Sequence, residues 1–275
     1  MSFGKRLAAA LDERAPLCVG IDPHPGLLAA WQLPADAGGL ARFAQICVAA
    51  FADVAAVVKP QSAFFEQFGS AGIAVLERTV TDARAAGALV LLDAKRGDIG
   101  STMSAYAAAY LHQGAPLAVD AITVSPYLGV GALQPAFDAA AANEAGLFVL
   151  AATSNPEAPQ VQQAAYGEQR TVAQLVIDDV AARNNPRPEL GSLGVVVGAT
   201  VEPGTVRLDG FPGPVLAPGI GAQGGTADDV RRVFGAALPH VLPSVSREVL
   251  RQGPDPDALR SAVGRFVDQF AFLRR

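Results

Sequence analysis

The chain has 275 residues, 51% of them hydrophobic and only 17% charged, with a formal net charge of −5. That balance suits a large buried core and excludes a disordered chain, and the scattered basic residues form no stripe able to neutralise nucleic-acid phosphates. Asp, Lys or Arg interrupts every apolar run before the ~20 residues that a bilayer span needs, so a soluble protein with no membrane partner is expected.

The first element, "MSFGKRLAAALDERAP", meets Asp12, Glu13 and Arg14 too soon for a secretion signal and reads as a short amphipathic helix. Eight aliphatic runs follow: 17–22, 54–60, 88–95, 120–125, 146–153, 193–200, 214–221 and 240–246. Segments with helical spacing stand between them, such as Leu40 to Phe51, Ile73 to Ala86 and Val130 to Ala142. Strands that are apolar on both faces and alternate with helices imply a parallel sheet covered by helices, and eight such units imply a closed (β/α)8 barrel. An open doubly wound sheet is the alternative; it would need a switch point and usually fewer strands. The whole chain, 1–275, reads as one barrel domain. The long stretch 155–192 reads as an elaborated loop holding a helix from Val161 to Arg183, packed outside the barrel or serving as a lid. Cys18 and Cys47 lack metal-ligand spacing and read as inert core thiols, which favours the cytoplasm.

The third run ends in charge: Asp93, Lys95, Arg96 and Asp98 fall within a few positions. Strand alternation puts Asp93 and Lys95 on the face of Leu89 and Leu91, the barrel interior, and turns Arg96 away. A structural ion pair is one reading. Desolvating such charges costs several kcal/mol per ion, however, and inward charges at the C-terminal ends of barrel strands point to catalysis. Of the 21 basic residues only Lys5, Lys59 and Lys95 are lysines, and two of these stand at strand ends, where an ammonium can give up a proton that arginine keeps.

"LAPGIGAQGG" (216–225) and "PSVSREVL" (243–250) follow the seventh and eighth runs, the loops where barrels commonly bind phosphate. Gln223 and Arg247 are the donors there. The string from Gly219 to Gly224 matches the dinucleotide fingerprint, but its βαβ context is missing, so a single phosphate is the better inference. His24, His112 and His240 show neither zinc-ligand nor nucleophile-partner spacing.

"LLDAKRGDI" and "PGIGAQGG", with "VGIDP", "VVKPQ", "TSNP", "VVVGAT" and "SREVL" in the expected order, resemble the orotidine 5'-phosphate decarboxylase family, in particular its longer bacterial subgroup. The resemblance implies decarboxylation of orotidine 5'-phosphate to uridine 5'-phosphate, with no metal or organic cofactor. It makes Lys95 the proton donor, flanked by Asp93 and Asp98, with Lys59 completing an alternating array. Asp98 and Thr102 would come from the partner subunit of a homodimer. Asp22, Lys59 and Thr102 would hold the ribose, Ser154 the pyrimidine, and Gln223 and Arg247 the phosphate. The rival enzyme is a related sugar-phosphate barrel with a magnesium-held enediolate, which needs an acid at the end of the second strand; here that residue is Lys59. A non-catalytic nucleotide sensor is the rival from another class.

Overall fold

The computed structural model describes residues 1–168, 170–184 and 189–274. Each of the eight aliphatic runs supplies a strand: β1 (Ala15–Ile21), β2 (Ala55–Pro60), β3 (Leu89–Arg96), β4 (Ala121–Val124), β5 (Gly146–Ala152), β6 (Leu193–Val197), β7 (Val215–Ala217) and β8 (Val241–Val245). They pair in parallel and close in the order β1-β8-β7-β6-β5-β4-β3-β2, a (β/α)8 barrel. Strand β7 is shorter than its run, since Pro214 and Pro218 at either end have no N–H to add to the ladder.

Strand alternation sorts the apolar residues into two layers. Val90, Leu92, Val149 and Val195 point outward and pack under the helices. Cys18, Val57, Leu91, Ala121, Phe148, Val196, Leu216 and Leu242, one from each strand, fill the interior. This explains why the runs are apolar without a break: both faces are dry. The N-terminal helix, Phe3–Glu13, closes the lower end of the barrel. Its Phe3, Leu7 and Leu11 recur every fourth residue on one stripe and join the interior layer, with Phe3 set edge-on to Phe148 at 6.1 Å between centroids.

The segment between β5 and β6 differs from the sequence expectation. The helix begins at Val172, not Val161, and ends at Arg183. Ahead of it lie a helical turn, Pro159–Gln162, and an antiparallel ribbon pairing Ala165–Tyr166 with Arg170–Thr171. Gly167 turns that ribbon at a φ of 66°, and Thr171 caps the following helix by accepting from Gln174 N–H. The helix packs on the outside of β5 and β6. Among the described residues no helix is long and apolar enough to cross a membrane.

Candidate active site

Asp93 continues the inward register of Leu89 and Leu91 and is only 8% exposed. At Lys95 the pleat breaks. Its φ is +46°, and the register of β3 on β4 shifts between Leu92 and Arg96. A left-handed conformation costs a residue with a Cβ about 1–2 kcal/mol, so neighbours must hold it. Thr123 Oγ1 accepts from Lys95 N–H at 3.0 Å, and Ser125 N–H donates to Arg96 O at 2.8 Å. Gly97 then lets the chain pass against β4: a Cβ there would lie 2.3 Å from Ser125 O. The Lys95 ammonium thus arrives at Asp93 through a bulge rather than by continued strand alternation, and its side chain keeps 46% exposure.

The two carboxylate oxygens of Asp93 accept three donors. Lys59 Nζ lies 3.0 Å from Oδ2, while Lys95 Nζ at 2.6 Å and Thr123 Oγ1 at 2.8 Å share Oδ1. Burial by itself would raise the Asp93 carboxyl; the Lys59 and Lys95 charges and the hydrogen bonds from Lys95 and Thr123 outweigh it and hold the group well below the usual carboxylate range. Lys59, fully buried at the end of β2, responds in the opposite sense: burial would lower it, and the carboxylates of Asp93 and Asp22 raise it above its ordinary value. Both groups are therefore charged at neutral pH. One layer below, burial pushes the Cys18 thiol up to about 12, which keeps it protonated; Cys47 is likewise buried and free.

Lys59, Asp93, Lys95 and Thr123 line a cavity of ≈ 630 Å³ at the C-terminal ends of the strands, roomy enough for a nucleotide-sized ligand. Asp22 lines it from the end of β1. Ser246 donates to Asp22 Oδ2 at 2.5 Å, and the buried Oδ1 has no hydrogen-bond partner among the described residues. On the far side Ser154 Oγ donates to Gln223 Oε1 at 3.1 Å, joining the loops after β5 and β7. The latter loop turns through Gly219, Gly221 and Gly224, each at positive φ (101°, 71° and 86°), conformations that favour glycine. Arg247 completes this side, and its guanidinium has no hydrogen bond or ion pair among the described residues.

The cavity thus gathers Asp22, Lys59, Asp93, Lys95, Ser154, Gln223 and Arg247. Asp98 and Thr102 stand outside it: Asp98 Oδ1 accepts from its neighbour Ile99 N–H at 2.8 Å, and Thr102 is exposed on the helix Gly100–Leu111. None of the three histidines lines the cavity. Sequence reasoning missed Thr123 and Ser246, which fix Asp93 and Asp22. The signal was a hydroxyl at the end of an otherwise aliphatic run, the same strand-end position that singled out the lysines. It also missed Gln162, which reaches back to Thr153, accepting from its N–H and donating to its Oγ1, both at 2.8 Å, and so ties the helical turn to the loop of Ser154.

Residues 15–262 match the model of the "Orotidine 5'-phosphate decarboxylase / HUMPS family". A Salinispora arenicola protein named orotidine 5'-phosphate decarboxylase is 62% identical over 266 residues, covering 97% of this chain and 96% of the relative. A Streptomyces coelicolor protein of the same name is 61% identical over 265 residues, covering 96% and 95%. Among solved structures, a Streptomyces avermitilis protein superposes with a TM-score of 0.94 at 55% identity, over 99% of this chain and 95% of that one. Leishmania donovani UMP synthase aligns at a TM-score of 0.81 and 32% identity, covering 100% of this chain and 56% of its own.

Proposed function

The chain belongs to the orotidine 5'-phosphate decarboxylase / HUMPS family and is a decarboxylase of pyrimidine nucleotide synthesis; from that premise we propose that it decarboxylates orotidine 5'-phosphate by a direct, metal-free route with Lys95 as proton donor. The bond between ring carbon 6 and its carboxylate breaks heterolytically, carbon dioxide leaves, and the electron pair stays on carbon 6. No adjacent group can delocalise that pair, so a positioned ammonium must stabilise it electrostatically. Lys95 Nζ then gives its proton to carbon 6, forming uridine 5'-phosphate, and the resulting amine is reprotonated from solvent.

The observation that carries this reading is the array Lys59–Asp93–Lys95. A magnesium-held enediolate would need an acid at the end of β2, whereas Lys59 places its ammonium there, 3.0 Å from Asp93. A cation at that point repels a second one. A nucleotide sensor is disfavoured as well, because binding alone does not require a buried carboxylate between two ammonium groups. The unpartnered Asp22 Oδ1 suits a ribose hydroxyl, and the free guanidinium of Arg247 beside Gln223 suits the phosphate. Ser154 would meet the pyrimidine. Binding energy from the phosphate, remote from the reacting carbon, can then orient the ring.

Asp98 and Thr102 serve the site of a second copy in a homodimer. They lie outside their own cavity, and the adjoining loops after β3 and β4 expose Ile99 (61%), Tyr127 (79%) and Leu128 (54%), an apolar surface that suits a partner. The two free buried thiols fit work in the reducing cytoplasm. The test is turnover by chelator-treated protein: orotidine 5'-phosphate should be converted at the untreated rate. No turnover, or turnover restored by magnesium, refutes the metal-free reading.

A further inference from the structure

Arg96 follows the proposed proton donor directly and does not line the cavity, yet its side chain makes a larger set of contacts than Lys95 does. Its Nη1 donates back to Ala94 O at 3.2 Å, and its Nη2 pairs with Glu66 Oε1 and donates to Tyr110 Oη at 3.3 Å. The guanidinium carbon lies 5.6 Å from the Tyr106 ring centroid and 5.9 Å from that of Tyr110. Glu66 in turn accepts from Ser62 Oγ at 2.5 Å, and Ser62 N–H donates to Asp93 O at 3.2 Å. These bonds close a ring. It leaves the main chain at Asp93 O, runs through Ser62, Glu66 and the Arg96 side chain, and returns at Ala94 O, immediately before the left-handed Lys95.

We propose that Arg96, held by Glu66, is a positioning residue for the reaction: the ring of contacts locks the bulge that aims the Lys95 ammonium at Asp93 and the cavity. The proposal rests on the reading of Lys95 as proton donor. A surface ion pair serving stability alone would have no need of the return bond to Ala94 O. A lysine at 96 could pair with Glu66 but has no planar fork to reach Glu66, the Tyr110 hydroxyl and the Ala94 carbonyl from fixed directions at once. Without the lock, the unfavourable positive φ of Lys95 can relax toward the strand and carry the ammonium off its line. Asp22, Gln223 and Arg247 stand in the segments after β1, β7 and β8, away from this ring, so ground-state binding should stay intact while the chemical step slows.

The test is steady-state kinetics and thermal melting of full-length Arg96→Met, Glu66→Gln, the double variant and Arg96→Lys. The expected result for either single variant is a fall in kcat of about ten- to a hundredfold with KM within about threefold, as for loss of orientation rather than of binding. The double variant should be no slower than the worse single one, since the pair acts as a unit, and Arg96→Lys should lie between Arg96→Met and the parent. A folded Arg96→Met with kcat within twofold of the parent overturns the proposal. So does a KM that rises in step with the loss of kcat, or a double variant whose loss is the product of the two. Lys95→Ala, measured alongside, separates the premises: if it keeps its kcat, the proton-donor reading itself fails, whereas an inactive Lys95→Ala beside a fully active Arg96→Met overturns only the positioning role.

Discussion

Asp93→Asn keeps the shape of the side chain, removes its charge and leaves one acceptor oxygen where three donors now converge. The amide NH2 must then face one of the two ammonium groups. Lys95 can swing into water, being half exposed, but Lys59 is 6% exposed and cannot. Breaking a buried ion pair by removing one partner costs about 3–5 kcal/mol, which for a chain of this size lowers the melting temperature by roughly 10 °C. The pH dependence follows from the sign of the shift. The folded-state pKa of Asp93 is depressed, so its stabilisation is present above the unfolded value of about 3.9 and is lost as the pH falls through the folded value. Lys59 is raised, so its contribution is present below about 10.4 and is lost only above that. The gap between parent and variant should therefore be flat from about pH 5 to 9 and narrow below about 4. Calorimetry or circular-dichroism melts across that range measure it. A variant within about 2 °C of the parent at pH 7, or a gap that widens on acidification, refutes the reasoning.

Mixing Lys95→Ala with Asp98→Ala subunits should restore about a quarter of the parent activity, because half the dimers are mixed and each of those has one intact site. Mixed dimers that form, as seen by native mass spectrometry, and stay inactive would refute a shared site. Leu7→Ala, at a fully buried position of the helix closing the lower end of the barrel, should cost about 2–5 kcal/mol in urea unfolding and leave kcat unchanged. A loss below about 1 kcal/mol would mean that the helix does not seal the interior.

Leu89, Leu91 and Asp93 obey one alternation, and the scarcity of lysine together with position at a strand end singles out Lys59 and Lys95. The strand count was legible because each run is dry on both faces. The start of the helix at Val172 was not. Residues 161–171 keep an apolar and polar mixture compatible with a helix, while the ribbon between Tyr166 and Arg170 depends on a glycine turn and cross-strand pairing. Thr123 and Ser246 were visible as residues and not as partners, because a hydrogen bond between strands or loops leaves no periodicity in the chain.

Local chemistry written along the chain therefore determined the barrel, the strand-end charges and the glycine-rich loop after β7, since burial on both faces, residue type and turn geometry act over a few neighbouring positions. Closure of the sheet decided the rest. It brought Lys59 within 3.0 Å of an aspartate 34 residues away and set Ser246 against Asp22 across 224 residues. It also placed Lys95 on a bulge that alternation does not foresee. Those contacts arise from register between strands and from loops meeting over a common mouth, quantities that only the folded chain defines.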